Sequence, residues 1–288
     1  MGKGLTFDNL YNHICDFTKI ENGIIDVSSY DFVEPVGIAI LEAIKQEIKV
    51  KIKLDQNSPF HSYFKTLNEA HYDESRTYIP LEIVKSGNVD ISKDRLVKKI
   101  MSDFKDLSNE DKEDLRKYLN YMVEEILNNA IQHALSPIGA IITSQYFPAQ
   151  RRLQVVVVDR GVGFLHNIQK RYQVNTERYA ILKALEKGVS SPPAKINTYY
   201  SQNNNVGCGL YALKTIIEKT NGKLMIISNN GMVKLDRYNN LTARELQNTN
   251  WKGSIVAFEF FEDEIDKINF TLEEFFRIYI WDQDEEYN

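Results

Sequence analysis

Glu124-Glu125-Ile126-Leu127-Asn128-Asn129-Ala130-Ile131-Gln132-His133 sets a carboxylate and an amide four residues apart in a segment with helical periodicity. Upstream and downstream of it, Leu115, Tyr118, Leu119, Met122, Val123, Ile126, Leu127, Ala130, Ile131 and Ala134 recur at three- and four-residue steps. That period predicts an amphipathic helix over 111–135 with one face on a core. Ser136-Pro137 ends it, because proline lacks the N–H that the next turn needs. Glu125, Asn129 and His133 follow at i, i+4 and i+8, so their side chains stack along one line of the helix. A carboxylate that orients water, beside an amide oxygen that holds a hard cation, fits a nucleotide–Mg²⁺ site. A solvated helix face would carry the same letters.

Two further motifs follow in order. Val155-Val156-Val157-Val158 reads as a buried strand that runs directly into Asp159-Arg160-Gly161-Val162-Gly163. Two glycines so close permit backbone conformations closed to other residues and the near approach of a ligand. The spacing excludes a dinucleotide fingerprint, since His166 stands three after Gly163 and no helix is expected there. A P-loop is excluded as well, because neither lysine that follows a glycine precedes Ser or Thr. The third motif, Gly207-Cys208-Gly209-Leu210, opens a predicted helix over 210–219, and free N–H groups at such an end favour anions.

The order of these motifs resembles that of the GHKL ATPases, the family of gyrase, heat-shock chaperone, histidine kinases and mismatch-repair proteins. Their last motif, a Gly-Thr pair on a late strand, is matched by Gly253-Ser254 leading into 255–260. The resemblance covers roughly 111–261. It implies a Bergerat-type α/β sandwich, with helices on one face of a mixed, mostly antiparallel sheet, and ATP with Mg²⁺ as ligands. By the same resemblance Asn129 coordinates the metal, Glu125 orients or deprotonates the attacking group, and Asp159 accepts the adenine amino group. Gly161 and Gly163 let the backbone lie on the base, Gly207 and Gly209 wrap the phosphates, and Ser254 reaches the adenine side. The loop 190–206 stands as a lid, Lys214 as a solvated lysine near the phosphates, and His133 as a capped or solvent-facing residue. Glu rather than Asn at position 125 argues against a sensor histidine kinase. His13, His61 and His71 also lack the setting of a phospho-accepting histidine. Slow hydrolysis coupled to a protein partner or a second copy is the expected activity. An anti-sigma-factor-like serine/threonine kinase and a non-hydrolysing ATP switch stay open.

The N-terminal half reads as strand 23–27, helix 36–48 and strand 50–54, a small α/β unit with parallel pairing. Its run from Gly23 to Ile38 resembles the strand–turn–helix of STAS domains, which are partners of kinases of this ATPase family. Pro35 and Val36 stand where phosphorylated antagonists carry hydroxyl residues, so this unit is expected to dock or dimerise. The expected division is a STAS-like α/β module at 1–105 and an ATP-binding domain at 106–288. Helices are expected at 63–70, 96–104, 176–187 and 272–280, strands at 79–84, 223–228 and 254–260, and a hairpin of 140–147 with 153–158.

Composition sets outer limits. With 43% hydrophobic and 26% charged residues the chain can bury a core, and a net charge of −5 gives no bulk attraction for nucleic acid. Cys15 and Cys208 are expected as free thiols in a reducing cytoplasm. No apolar run approaches the ~20 residues of a membrane span.

Overall fold

Successive residues of a strand point to opposite sides of its sheet, so four valines in a row need apolar cover on both. Val155 and Val157 enter one core, and Val156 and Val158 enter another. The computed structural model, which describes residues 3–104, 107–189, 209–249, 251–265 and 274, shows what supplies each cover. The N-terminal elements are β1 (Lys3–Leu5), α1 (Leu10–Thr18), β2 (Ile24–Asp26), β3 (Tyr30–Val33), α2 (Pro35–Glu47), β4 (Lys51–Lys53) and α3 (Pro59–Glu69). Then come β5 (Tyr78–Val84), α4 (Val89–Asp103), α5 (Asn109–Asn128), β6 (Ala140–Phe147), β7 (Arg152–Asp159), α6 (Phe164–Ile168) and α7 (Glu177–Ala184). The last are α8 (Gly209–Lys219), β8 (Lys223–Ser228), β9 (Gly231–Leu235), β10 (Leu241–Glu245), β11 (Ser254–Phe261) and α9 (Glu262–Ile265).

The large sheet has seven strands in the order β10-β9-β8-β11-β7-β6-β5. All its pairings are antiparallel, so the expected mixed sheet is corrected. Parallel pairing is confined to two small sheets, β1 with β3 and β2 with β4. The strand–helix–strand unit expected at the N-terminus is the second of these, with α2 between its strands. β5 and α4, both before residue 105, join the large sheet and the helical layer on it.

One face of the sheet packs on α4, α5, α7 and α8 through residues such as Leu96, Leu119, Met122, Ile181, Leu213 and Ile216. The opposite face, with Ile141, Val156, Met225, Ile227 and Ala257, packs on the N-terminal elements, led by α2. α2 is buried from Pro35 to Ile44, because it lies between the small sheets and the large one. Charges cross this junction. Buried Glu34 accepts from Arg152 (2.7 Å), Gln154 (2.8 Å) and the Phe7 N–H (2.7 Å), and Arg152 also pairs with Glu259. Lys223 and Lys234 close the edge on Asp8 at 2.6 and 2.9 Å. Among the described residues no helix is long and apolar enough to cross a membrane.

Several elements differ from the sequence reading. The polar stretch 86–94 already turns helical at Val89. β1, β3, α1, β9 and β10 were not expected, and the helix expected at 272–280 lies outside the described residues.

Candidate functional site

Asp159 ends β7, where the chain must leave the sheet, and its carboxylate is almost wholly buried. Its Oδ1 accepts the Gly161 N–H at 2.7 Å, and its Oδ2 accepts the Ser254 hydroxyl from the first residue of β11. Burial is the dominant influence and pushes this carboxyl up to about 6, against the hydrogen bonds from Ser254 and Gly161 and the charge of Arg160. The pair sits where β7 and β11 run side by side, Ile255 opposite Val158.

Glycine is required on both sides of this pair. A Cβ on Gly161 would lie 1.9 Å from the Ala134 carbonyl oxygen, and one on Gly253 would lie 2.3 Å from the Asp159 carbonyl oxygen. Gly253 also has φ +98°, a conformation L side chains rarely adopt. The Ala134 carbonyl accepts the Val162 N–H at 2.8 Å, so the end of the Glu–Asn helix rests on the glycine turn.

That helix changes register at the predicted amide. α5 ends at Asn128, and Asn129–His133 forms a π-helical turn in which the Ala134 N–H reaches the Asn129 carbonyl at 3.1 Å. Such turns occur mostly as single insertions in helices, frequently at functional sites. Asn128 is occupied by Gln132 at 3.1 Å, whereas the Asn129 side chain has no hydrogen-bond partner among the described residues. Glu125 likewise has neither an ion pair nor a hydrogen bond among the described residues. Burial first, and the charge of adjacent Glu124 second, push its carboxyl up to about 7. Glu124 itself pairs with Lys93 at 2.9 Å. Gly209, the first residue of α8, lies against Glu125: a Cβ there would stand 2.0 Å from Oε2.

Four predicted segments therefore touch in pairs: Glu125 with Gly209, the end of its helix with Gly161, and Asp159 with Ser254. Gly207 and the loop 190–206 lie outside the described residues. Lys214 pairs with Glu218 within its own helix at 2.9 Å. His133 is half-buried, and burial with nearby Lys170 holds its imidazole below the usual range.

The residues missed in the sequence hold the second glycine. α6 begins directly after Gly163, contrary to expectation, and Glu177 takes up its first N–H groups, from Phe164 (3.2 Å) and Leu165 (3.1 Å). Buried Glu177 also accepts from Ser228 (2.6 Å) and Asn229 (2.5 Å). Asn229 in turn bonds the Gly253 N–H at 3.1 Å and the Val162 carbonyl at 3.3 Å, joining the two glycine segments. A Cβ on Gly163 would meet Asn229, Ser228 and Glu177 all within 3 Å. An acid at a helix start was the available signal for Glu177, but its partner is 13 residues upstream.

Among the described residues no three His, Cys, Asp or Glu side chains converge as a metal cluster. The amide oxygen of Asn129 is the donor that could hold a hard cation bringing further ligands of its own. The chain matches no protein-family model and no curated protein.

Proposed function

We propose that the chain binds ATP with Mg²⁺ and hydrolyses it slowly, in a Bergerat-type domain of the GHKL ATPase kind. The observation that carries this reading is the pairwise contact of its four motif segments, with Asp159 hydrogen-bonded to Ser254 at one end and Glu125 against Gly209 at the other. Asp159 presents a carboxylate already oriented by Gly161 and Ser254, the acceptor that an adenine amino group requires. With its carboxyl at about 6, it is largely ionised at neutral pH. Gly161 and Gly163 let the backbone turn closely enough to lie on the base, their Cβ directions being filled by Ala134 and by Asn229, Ser228 and Glu177.

Asn129 offers its free amide oxygen to Mg²⁺, and the ion supplies charge neutralisation for the phosphates. Glu125 titrates at about 7, near the optimum for a general base at neutral pH, and takes the proton of the attacking water. Glu125 and Ala134 are nine steps apart along the helical segment, roughly 13 Å, which suits a ligand lying along the helix from base to last phosphate. The cytoplasm, with ATP and Mg²⁺ abundant, is the compartment this chemistry needs.

The N-terminal unit is read as a STAS-like module that docks. Glu34, Pro35 and Val36 at the start of α2 are buried against β7 and offer no hydroxyl for phosphorylation. It therefore acts as a cover on the sheet, and a protein partner or second copy would use other surfaces.

Isothermal titration of the full chain with ATP and Mg²⁺ tests the reading. Saturable binding, with phosphate released over time, is expected. Absence of any heat of binding rejects it.

A further inference from the structure

The base-recognition end of the site is tied to the N-terminal module by one carboxylate. Glu47 is the last residue of α2, and its Oε2 accepts from Arg160 Nε at 2.7 Å and lies 2.6 Å from Nη2. Its Oε1 lies 3.1 Å from Lys252 Nζ. Arg160 follows Asp159, and Lys252 stands two before Ser254, so Glu47 bridges the ends of the two strands that carry the buried pair. The Arg160 guanidinium stacks on Trp251 at 4.6 Å, and its backbone N–H reaches Ser136 Oγ at 3.2 Å. The bridge thus also touches the segment leaving the π turn. Glu47 and Arg160 side chains are only 15% and 8% exposed, so solvent weakens the pair far less than an exposed one.

We infer that Glu47 is a positioning residue for the Asp159–Ser254 pair, through which the N-terminal module sets affinity for the base of a nucleotide. The inference rests on the nucleotide reading for its ligand, and on geometry alone for its positioning role. Loss of the Glu47 charge frees Arg160 and Lys252 from each other. The strand ends then lose one of the ties that hold Gly253 against Asp159 and Gly161, leaving those made by Asn229 and the strand pairing. Glu125, nine positions back along the chain from Ala134, and Gly209 keep their contact, so recognition of the phosphates is left intact.

The test uses the full chain with Glu47→Gln, which keeps side-chain size, and Lys252→Ala, at a position more than half exposed, where folding is not at stake. Amide hydrogen exchange without ligand reads positioning directly. Faster exchange at Gly161, whose N–H bonds Asp159, and at Gly253 is expected in both variants, with the strand interiors unchanged. Titration with ATP–Mg²⁺ should weaken about tenfold in Glu47→Gln, within the ~5–150-fold typical of coupled sites. Titration with tripolyphosphate–Mg²⁺ should not change. Unchanged exchange at Gly161 and Gly253 overturns the inference whatever ATP does, and so does equal weakening towards both ligands. Altered exchange in a chain that binds no ATP leaves the positioning role standing and rejects the nucleotide reading instead.

Discussion

Asp159 is a buried acid and Glu125 a half-buried one, and the two differ most in what surrounds their oxygens. Asp159 is enclosed by donors, with Gly161 on one oxygen and Ser254 on the other. Glu125 lies against the backbone of Gly209 with no donor among the described residues. Burial raises both carboxyls, but only at Asp159 do hydrogen bonds and an adjacent Arg pull back. An acid fixed by its neighbours has lone pairs aimed in set directions, which suits recognition. One without partners, poised near neutrality, suits proton transfer.

That division of labour is breakable, and the largest effect is expected at Glu125. Glu125→Gln should lower phosphate release by about 10²–10⁴-fold, the usual worth of a general base, while ATP titration stays near wild type. A variant that hydrolyses normally would remove Glu125 from proton transfer. Asp159→Asn should do the reverse and weaken ATP binding about 10–100-fold, since hydrogen bonds to a charged group contribute about 1.5–3 kcal/mol. Residual hydrolysis at saturating ATP should then persist. If Asp159→Asn stopped turnover without touching affinity, the two acids would have exchanged roles.

The contrast also explains what could be read in the letters. Asp159 and Gly161 were legible because their demands are local, a strand end and a tight turn, whereas Gly253 was legible only as a match to the family's last motif and its left-handed backbone was not. The alternating cores of β7 were legible as four valines, though not that an N-terminal module covers the second face. Glu177 and Asn229 were not legible, because their partners come from α6 and from the turns around Gly163 and Gly253. The five-residue helix α6 is too short to show a period. β10, mostly exposed, lacks the alternation that marks a half-buried strand. The π turn was hidden as well, since one inserted residue leaves the apolar pattern of 115–134 nearly intact.

A third measurement separates the acids by stability. Glu125 is raised from 4.5 to about 7, so the folded chain prefers it protonated. Its stabilising contribution is complete below about 4.5 and is lost as pH rises through about 7. Glu125→Gln never ionises, so its Tm should exceed that of wild type in mildly alkaline buffer, and the gap should close in acid. A difference of roughly 2–4 °C is expected for each kcal/mol involved. A Tm gap that is constant with pH would mean that Glu125 does not carry the burial penalty.

The smallest effect tests whether Asp159 owes its orientation to Ser254 or to the glycine turn. Ser254→Ala removes the hydroxyl donor on Oδ2 and leaves the backbone donors, the Gly161 N–H on Oδ1 and the N–H of residue 254. One hydrogen bond is worth about 1 kcal/mol, roughly fivefold in affinity for ATP. Because that bond also opposes the effect of burial, the carboxyl should rise above about 6 when it is lost. The deficit should therefore widen as the buffer is taken below neutrality, whereas Ser254→Thr, which keeps the hydroxyl, should follow wild type throughout. If Ser254→Ala matched wild type at every pH, the backbone N–H groups of Gly161 and of residue 254 would suffice to orient Asp159, and the Ser254 hydroxyl would have no part in it.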